Sequence, residues 1–188
     1  MSTSTIILLA IVAIVVYLIY VYNRLVSLQK SAEAAWSDIE VQLRRRYNLI
    51  PALVEVVKGA KNYEAETLEK VIQARSAAMS AKTPADEAKA NNMLTQALGK
   101  LFALAESYPE LKANQNFLEL QQQLAQIEDS IQNARRYYNA VVRDYNARLD
   151  SFPDLFIARR FDFRPKDYFE LDESIKEQVY SMPKIDLD

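Results

Sequence analysis

Arg44, Arg45 and Arg46 form the one basic triplet in the chain, and guanidinium groups are the side chains best shaped to grip phosphate, carboxylate or a lipid headgroup. The triplet sits about 20 residues beyond an apolar run, roughly 30 Å along a continuous helix, and its three members face different sides of that helix. Pairing with acids inside the fold, or contact with a protein partner, therefore outranks binding to lipid. Tyr47-Asn48, Tyr138-Asn139 and Tyr145-Asn146 repeat a Tyr-Asn unit, with Tyr137 beside the second. Buried tyrosines tend to keep a hydrogen-bond partner, so these units read first as packing between long helices and second as a ligand-binding band. Glu64, Glu66 and Glu69 put carboxylates on one helix. Glu66 and Glu69 lack the histidine of a Glu-x-x-His di-iron helix, and no loop supplies the converging oxygens that Mg or Ca needs. Asn114 and Asn116 read as capping or turn residues.

The sequence has no His and no Cys. That removes imidazole acid–base chemistry, histidine-assisted triads, thiol nucleophiles, disulfides and nearly every zinc site. An enzyme would have to work with Asp, Glu, Lys, Arg and Tyr alone, and no constellation of these stands out. No catalytic residue, cofactor or metal site is assigned. The net charge of −2 gives no electrostatic footprint for nucleic acid.

The elements that would carry these residues are helices. Glycine occurs only at Gly59 and Gly99, Ala, Leu, Glu, Gln, Lys and Arg dominate, and no alternating strand pattern is present. The fold class is all-α. The clearest stripe is Phe117, Leu120, Leu124, Ile127, Ile131, Ala134, Tyr138, Val141, Tyr145, Leu149 and Phe152, in steps of three or four. A second stripe comprises Leu25, Leu28, Ala32, Trp36, Ile39, Leu43, Tyr47, Ile50, Val54 and Val57, with a kink expected near Pro51 and an end near residues 59–62. Two shorter helices lie between. The first, over about 63–81, turns Leu68, Val71, Ile72, Ala78 and Met79 inward. The second is capped by Thr83 and Pro84 and carries Met93, Leu94, Ala97, Leu98, Leu101, Leu104 and Ala105. Ser107 and Glu110 are spaced as a capping box for the last long helix. Short connections favour antiparallel neighbours, giving an elongated antiparallel bundle of about four helices over 24–152.

Residues 6–22 contain only Ile, Leu, Val, Ala and Tyr. As a helix this run covers about 26 Å, so Ser4 and Thr5 join the span or the bilayer thins to match a core of about 30 Å. The run lacks a basic residue before it and a small-x-small pattern after it, which argues for a retained anchor over a cleaved leader. Residues 1–23 form the anchor, represented by Ile6, Leu9, Ile14, Leu18, Tyr20 and Tyr22, with tyrosines marking one interface. Arg24 and Lys30 follow it, which puts the C-terminal side in the cytoplasm. Residues 153–188 hold nine acids and six bases, with aromatics lacking a clear period. This tail is expected to be irregular and partly ordered. Its segment 161–171 docks either on the bundle or on a neighbouring chain, and 172–180 forms a short helix.

Around Trp36 the sequence reads Ala35-Trp36-Ser37-Asp38-Ile39-Glu40-Val41-Gln42-Leu43-Arg44-Arg45-Arg46-Tyr47-Asn48-Leu49-Ile50-Pro51. Together with Ser107-Tyr108-Pro109-Glu110-Leu111-Lys112-Ala113-Asn114-Gln115-Asn116-Phe117, Ala134-Arg135-Arg136-Tyr137-Tyr138-Asn139 and Phe152-Pro153, it closely resembles the bacterial LemA family. The likeness runs over roughly 22–169. It departs at Gly59 to Asn62, where an aromatic and a His are common, and in the tail beyond Glu170. The resemblance implies an inner-membrane protein with its N-terminus outside and its bundle in the cytoplasm, and no known enzymatic activity. It also implies links to magnetosome membranes and to a membrane metalloprotease.

These readings lead to a non-enzymatic scaffold tethered to the lipid bilayer, which forms a homo-oligomer or docks protein partners. Arg44, Arg45, Arg46, Phe161, Phe163, Tyr168 and Phe169 are the candidate contacts. An adaptor for a membrane protease is the first alternative and an enzyme the last.

Overall fold

A computed structural model describes residues 2–59 and 64–170. Among them lie six helices: α1 (Thr3–Lys58), α2 (Ala65–Ser80), α3 (Pro84–Ala105), α4 (Pro109–Lys112), α5 (Gln115–Asp150) and α6 (Asp154–Arg160). No strand occurs among the described residues. The expected helix over 172–180 and the departure at 60–62 lie outside them. The chain forms two compact units. Of the described residues, one unit comprises 2–40 and 133–167 and the other 41–59, 64–132 and 168–170, so α1 and α5 each contribute to both.

In the first unit, α1 changes character within one turn. Residues 2–20 are all exposed, and Val21 and Leu25 are buried. Val21 and Leu25 share a core with Tyr145 and Leu149 of α5 and Ala158 of α6, and Leu28, Ile157 and Phe163 pack around it. Further along, Trp36 meets Tyr138 with ring centroids 5.3 Å apart. Rising numbers on α1 thus meet falling numbers on α5, an antiparallel pair. Spacing of three and four residues puts Leu25, Ala32, Ala35 and Ile39 on the covered face of α1.

The second unit is built from the rest of α1, the α2–α3 pair, α4 and the first half of α5. Three residues join α2 to α3, which forces the two helices back against each other. Leu43, Ile50, Leu53, Leu68, Val71, Leu94, Leu98, Leu101, Leu111 and Leu124 are buried here. Thr83 caps α3 as its sequence position demands: its Oγ1 accepts from the Asp86 amide at 3.1 Å, with Pro84 in the first turn. The Ser107–Glu110 capping box does not form. Tyr108 is the cap of the four-residue α4 and makes no side-chain cap bond. Instead Asn114 caps α5, accepting from the Phe117 amide at 3.1 Å.

Pro51 does not end α1, which continues to Lys58. A proline has no N–H to offer the carbonyl four residues back, here that of Tyr47. Arg75 of α2 takes that place, its Nε donating to the Tyr47 carbonyl at 2.8 Å. The helix therefore tolerates Pro51 because a guanidinium from a neighbouring helix satisfies the carbonyl that Pro51 leaves open.

The structure corrects several apolar expectations. Ile72, Met79 and Met93 are exposed, because the buried line runs through Leu68, Val71, Ala74 and Ala78 on α2 and through Ala90, Leu94, Leu98 and Leu101 on α3. On α5, Val142 is the buried residue where the period points to Val141, and Phe152 lies beyond the helix end in the open. The tail is not wholly irregular, since α6 follows Pro153 directly.

Replacing Arg75 with Met should lower stability by about 1.5–3 kcal/mol, the worth of a charge-assisted bond to a part-buried carbonyl. In a Pro51→Ala background the cost should shrink, because the alanine restores the helix N–H that reaches the Tyr47 carbonyl. Thermal unfolding of the four full-length variants in detergent, followed by circular dichroism, measures that coupling. An equal cost in both backgrounds would contradict it.

Candidate functional site

The residues expected to anchor the chain, Ile6, Leu9, Ile14, Leu18 and Tyr20, all lie on the bare stretch of α1, and each is exposed. α1 is long and apolar enough there to cross a membrane. Tyr22 is different. It stands one residue past the first core position, and its ring packs edge-on against Phe161 at 4.9 Å and Phe163 at 5.8 Å. The exposed stretch ends at Tyr20, since Val21 shares a core with residues of α5 and α6.

The segment after α6 is held by the chain's own helices. Asp162 takes φ 55, and the Phe163 amide reaches back to the Ala158 carbonyl at 3.0 Å, closing α6 with a left-handed cap. The chain then runs extended past α5. Asn146 grips it in the way a neighbouring strand would. Its Nδ2 donates to the Lys166 carbonyl at 2.9 Å, and its Oδ1 accepts from the Lys166 amide at 3.0 Å. Tyr138 donates its hydroxyl to the Asp167 carbonyl at 2.8 Å, and the Lys166 ammonium lies 3.8 Å from Glu33. Of the two docking options for this segment, residues 161–167 take their own chain.

The three arginines divide. Arg44 and Arg45 are exposed, while Arg46 is buried. Arg46 donates to Thr95 Oγ1 at 2.9 Å and pairs with Glu128 at 3.0 Å. Burial pulls the Arg46 proton affinity below its ordinary value, and Glu128 works against that shift. Next to it, the Tyr47 hydroxyl accepts from Asn91 Nδ2 at 2.8 Å, and the same Nδ2 donates to the Glu87 carbonyl at 2.9 Å. Arg46 and Tyr47 thus tie one turn of α1 to α2, α3 and α5. Arg46 is bonded inside the fold. Phe169 is likewise buried, Phe163 half-buried, and Arg44, Arg45, Phe161 and Tyr168 keep exposed surface.

The Tyr-Asn units make separate contacts within the fold. Tyr47 uses its hydroxyl and its carbonyl between helices, while Tyr138 and Asn146 hold the tail. Tyr145 is fully buried, yet its hydroxyl has no hydrogen-bond partner among the described residues. Asn91 and Arg75 were not singled out by the sequence. Asn91 is a polar residue on the apolar face of α3, and Arg75 stands where a proline-opened carbonyl needs a donor, which are the signals that mark them. Glu64 and Glu66 are exposed, Glu66 is paired with Lys70, and no group of three or more carboxylates converges among the described residues.

A helical chain with an N-terminal apolar segment of membrane-crossing length is the class that emerges. The LemA family model matches residues 35–186, and the chain belongs to the LemA family. The match begins well beyond the bare part of α1. The chain is 30% identical over 162 residues to Protein LemA of Metamycoplasma hominis, covering 84% of this chain and 73% of that one. It is 24% identical over 188 residues to Magnetosome protein MamQ 2 of Paramagnetospirillum magneticum, covering 86% and 69% of the two chains. It is also 24% identical over 187 residues to Magnetosome protein MamQ of Magnetospirillum gryphiswaldense, with the same coverage.

Asn146→Ala removes both bonds to the Lys166 peptide, worth about 1–3 kcal/mol together. Trypsin should then cut after Lys166 several-fold faster than in the parent chain, read by mass spectrometry of timed digests. The buried phenols make a separate signature at high pH. Burial pushes Tyr47 and Tyr138 up from 10.0 to about 12. The folded chain holds those protons more tightly than the unfolded chain does, so stability stays level below pH 10 and falls as the pH rises toward 12. Denaturant midpoints between about pH 9 and 12 check this, and Tyr47→Phe should flatten part of the decline.

Proposed function

We propose that the chain is a non-enzymatic, membrane-tethered scaffold. The bare part of α1 crosses the bacterial inner membrane with its N-terminus outside, and the helical units stand on the cytoplasmic side. There they self-associate or dock protein partners. The observation that carries this reading is that α1 is unbroken from Thr3 to Lys58 while passing from an exposed apolar stretch into core residues at Val21. A flexible linker would let the folded part drift; an unbroken helix passes the orientation of the span to the residues packed on it. Every copy in one bilayer then presents the same surfaces at the same height, which favours lateral contact.

Surfaces for such contact exist outside the span. Val41 on α1 and Tyr137 on α5 are exposed apolar side chains, and Arg44 and Arg45 are exposed cations close after Val41. The likeness to proteins named for the magnetosome supports a part in membrane organisation.

Because the native chain has no cysteine, a single introduced one reports only on neighbouring molecules. Val41→Cys and Tyr137→Cys should each retain the fold. In oxidised native membranes, at least one should give a covalent dimer or a mixed disulfide with a partner, seen on a non-reducing gel. Monomer alone at both positions, together with a monomeric mass for the parent protein extracted in mild detergent, would overturn the scaffold reading.

A further inference from the structure

We propose that α6 and the turn before it form a second membrane contact, an aromatic foot that rests in the headgroup region of the same bilayer that α1 crosses. The proposal rests on α1 being a span. Its starting point is a set of large apolar side chains that their own chain leaves mostly uncovered. Phe152 is 81% exposed, Phe156 63% and Phe161 56%. Phe152 and Phe156 meet edge-on at 5.9 Å, so they form one patch. Grouped exposure of rings this size forfeits the gain of burying them, and it marks an interaction surface.

Their position identifies the occupant. The inner face of α6 is Asp154 and Ala158, both buried, with Ile157 half-buried beside Val21, Leu25 and Leu149. Phe156, Arg159 and Arg160 follow at helical spacing on the outer face of α6, Phe152 meets Phe156 from the turn before it, and all four are exposed. The foot stands beside the turn of α1 that follows the bare part. Phe161 packs on Tyr22 at 4.9 Å. Leu149 at the end of α5 and Ala158 of α6 share a core with Val21, the first covered residue after the bare stretch, and Arg148 pairs with Asp154 at 2.7 Å. The end of α5 and α6 therefore flank α1 where its bare part ends.

Length makes the same point. Residues 6–20 as a helix cover about 22 Å, short of a hydrocarbon core of about 30 Å. A bilayer that covers α1 up to Tyr22 meets Phe161 at its surface, with Phe152 and Phe156 nearby. Aromatic rings suit that depth, and Arg159 and Arg160 on the same face suit lipid phosphates. Two points of contact, a span and a foot, would fix the rotation of α1 about its axis as well as its depth.

Nitroxide labels on single cysteines in the full-length protein test the foot. The protein is reconstituted in vesicles of phosphatidylcholine and phosphatidylglycerol, and each label is read for collision with oxygen and with a water-soluble nickel chelate. Labels at Phe152→Cys and Phe156→Cys should shift several-fold toward oxygen relative to Arg143→Cys, and approach Ile14→Cys. If Ile14→Cys reports lipid while 152 and 156 match Arg143→Cys, the foot is wrong and the span stands. If Ile14→Cys itself reports water, the span has failed. Labels at 152 and 156 hidden from both reagents would mean that protein covers the face, and would equally overturn a lipid contact.

Discussion

The absence of any break in α1 between Tyr20 and Val21 is the constraint on which the rest depends. Every residue from 2 to 20 is exposed, and Val21 and Leu25 are core. Helical geometry transmits direction where a loop would lose it, so the apolar stretch and the start of the folded part share one axis. The antiparallel pairing with α5 follows from the same stripe. Leu25, Ala32, Ala35 and Ile39 need cover, and Tyr138, Val142, Tyr145 and Leu149 come from a second long helix with the matching period. The tail adds a further layer of support, clamped by Asn146 and Tyr138.

Polar contacts specify the second unit more than they strengthen it. Arg46 with Glu128 is a part-buried ion pair, and such pairs contribute little net stability while making any packing that separates them costly. Tyr47 and Asn91 act alike: their mutual bond exists only when α1 and α3 meet in this register. The carbonyl opened by Pro51 is the clearest case, since it is closed by a helix that brings Arg75 alongside. A repacked α2 would leave the guanidinium and the carbonyl unmatched together.

Much of this is legible in the sequence because helical periodicity and caps are local. The two long stripes, the Thr83–Pro84 start and the all-α class each depend on residues a few positions apart. The errors arise where the outcome depends on partners far away in sequence. Ile72, Met79 and Met93 look like core by hydropathy, yet the buried faces run through Leu68, Val71, Ala74 and Ala78 on α2 and through Leu94, Leu98 and Leu101 on α3. Phe152 continues the period of α5 but lies past its last turn. Arg46 reads as a contact residue because nothing near it announces Glu128 or Thr95. The clamp on Lys166 is a side chain–backbone match, which leaves no compositional trace at Lys166. Family likeness is legible from the motifs around Trp36 and Tyr108. The proposed role at the membrane is written less plainly, because a docking surface carries no fixed chemistry comparable to a catalytic cluster.

The most direct test of a span continuous with the folded units is cysteine accessibility along α1 in living cells. Single cysteines at Ile14, Leu18, Arg24 and Arg44 are exposed to a membrane-impermeant maleimide before and after permeabilisation, and the membranes are then washed with carbonate. The account predicts that positions 14 and 18 stay unlabelled throughout. Positions 24 and 44 should label only after permeabilisation, and the protein should remain in the washed membrane. Labelling of 14 or 18 in water, labelling of 44 in intact cells, or release by carbonate would contradict it.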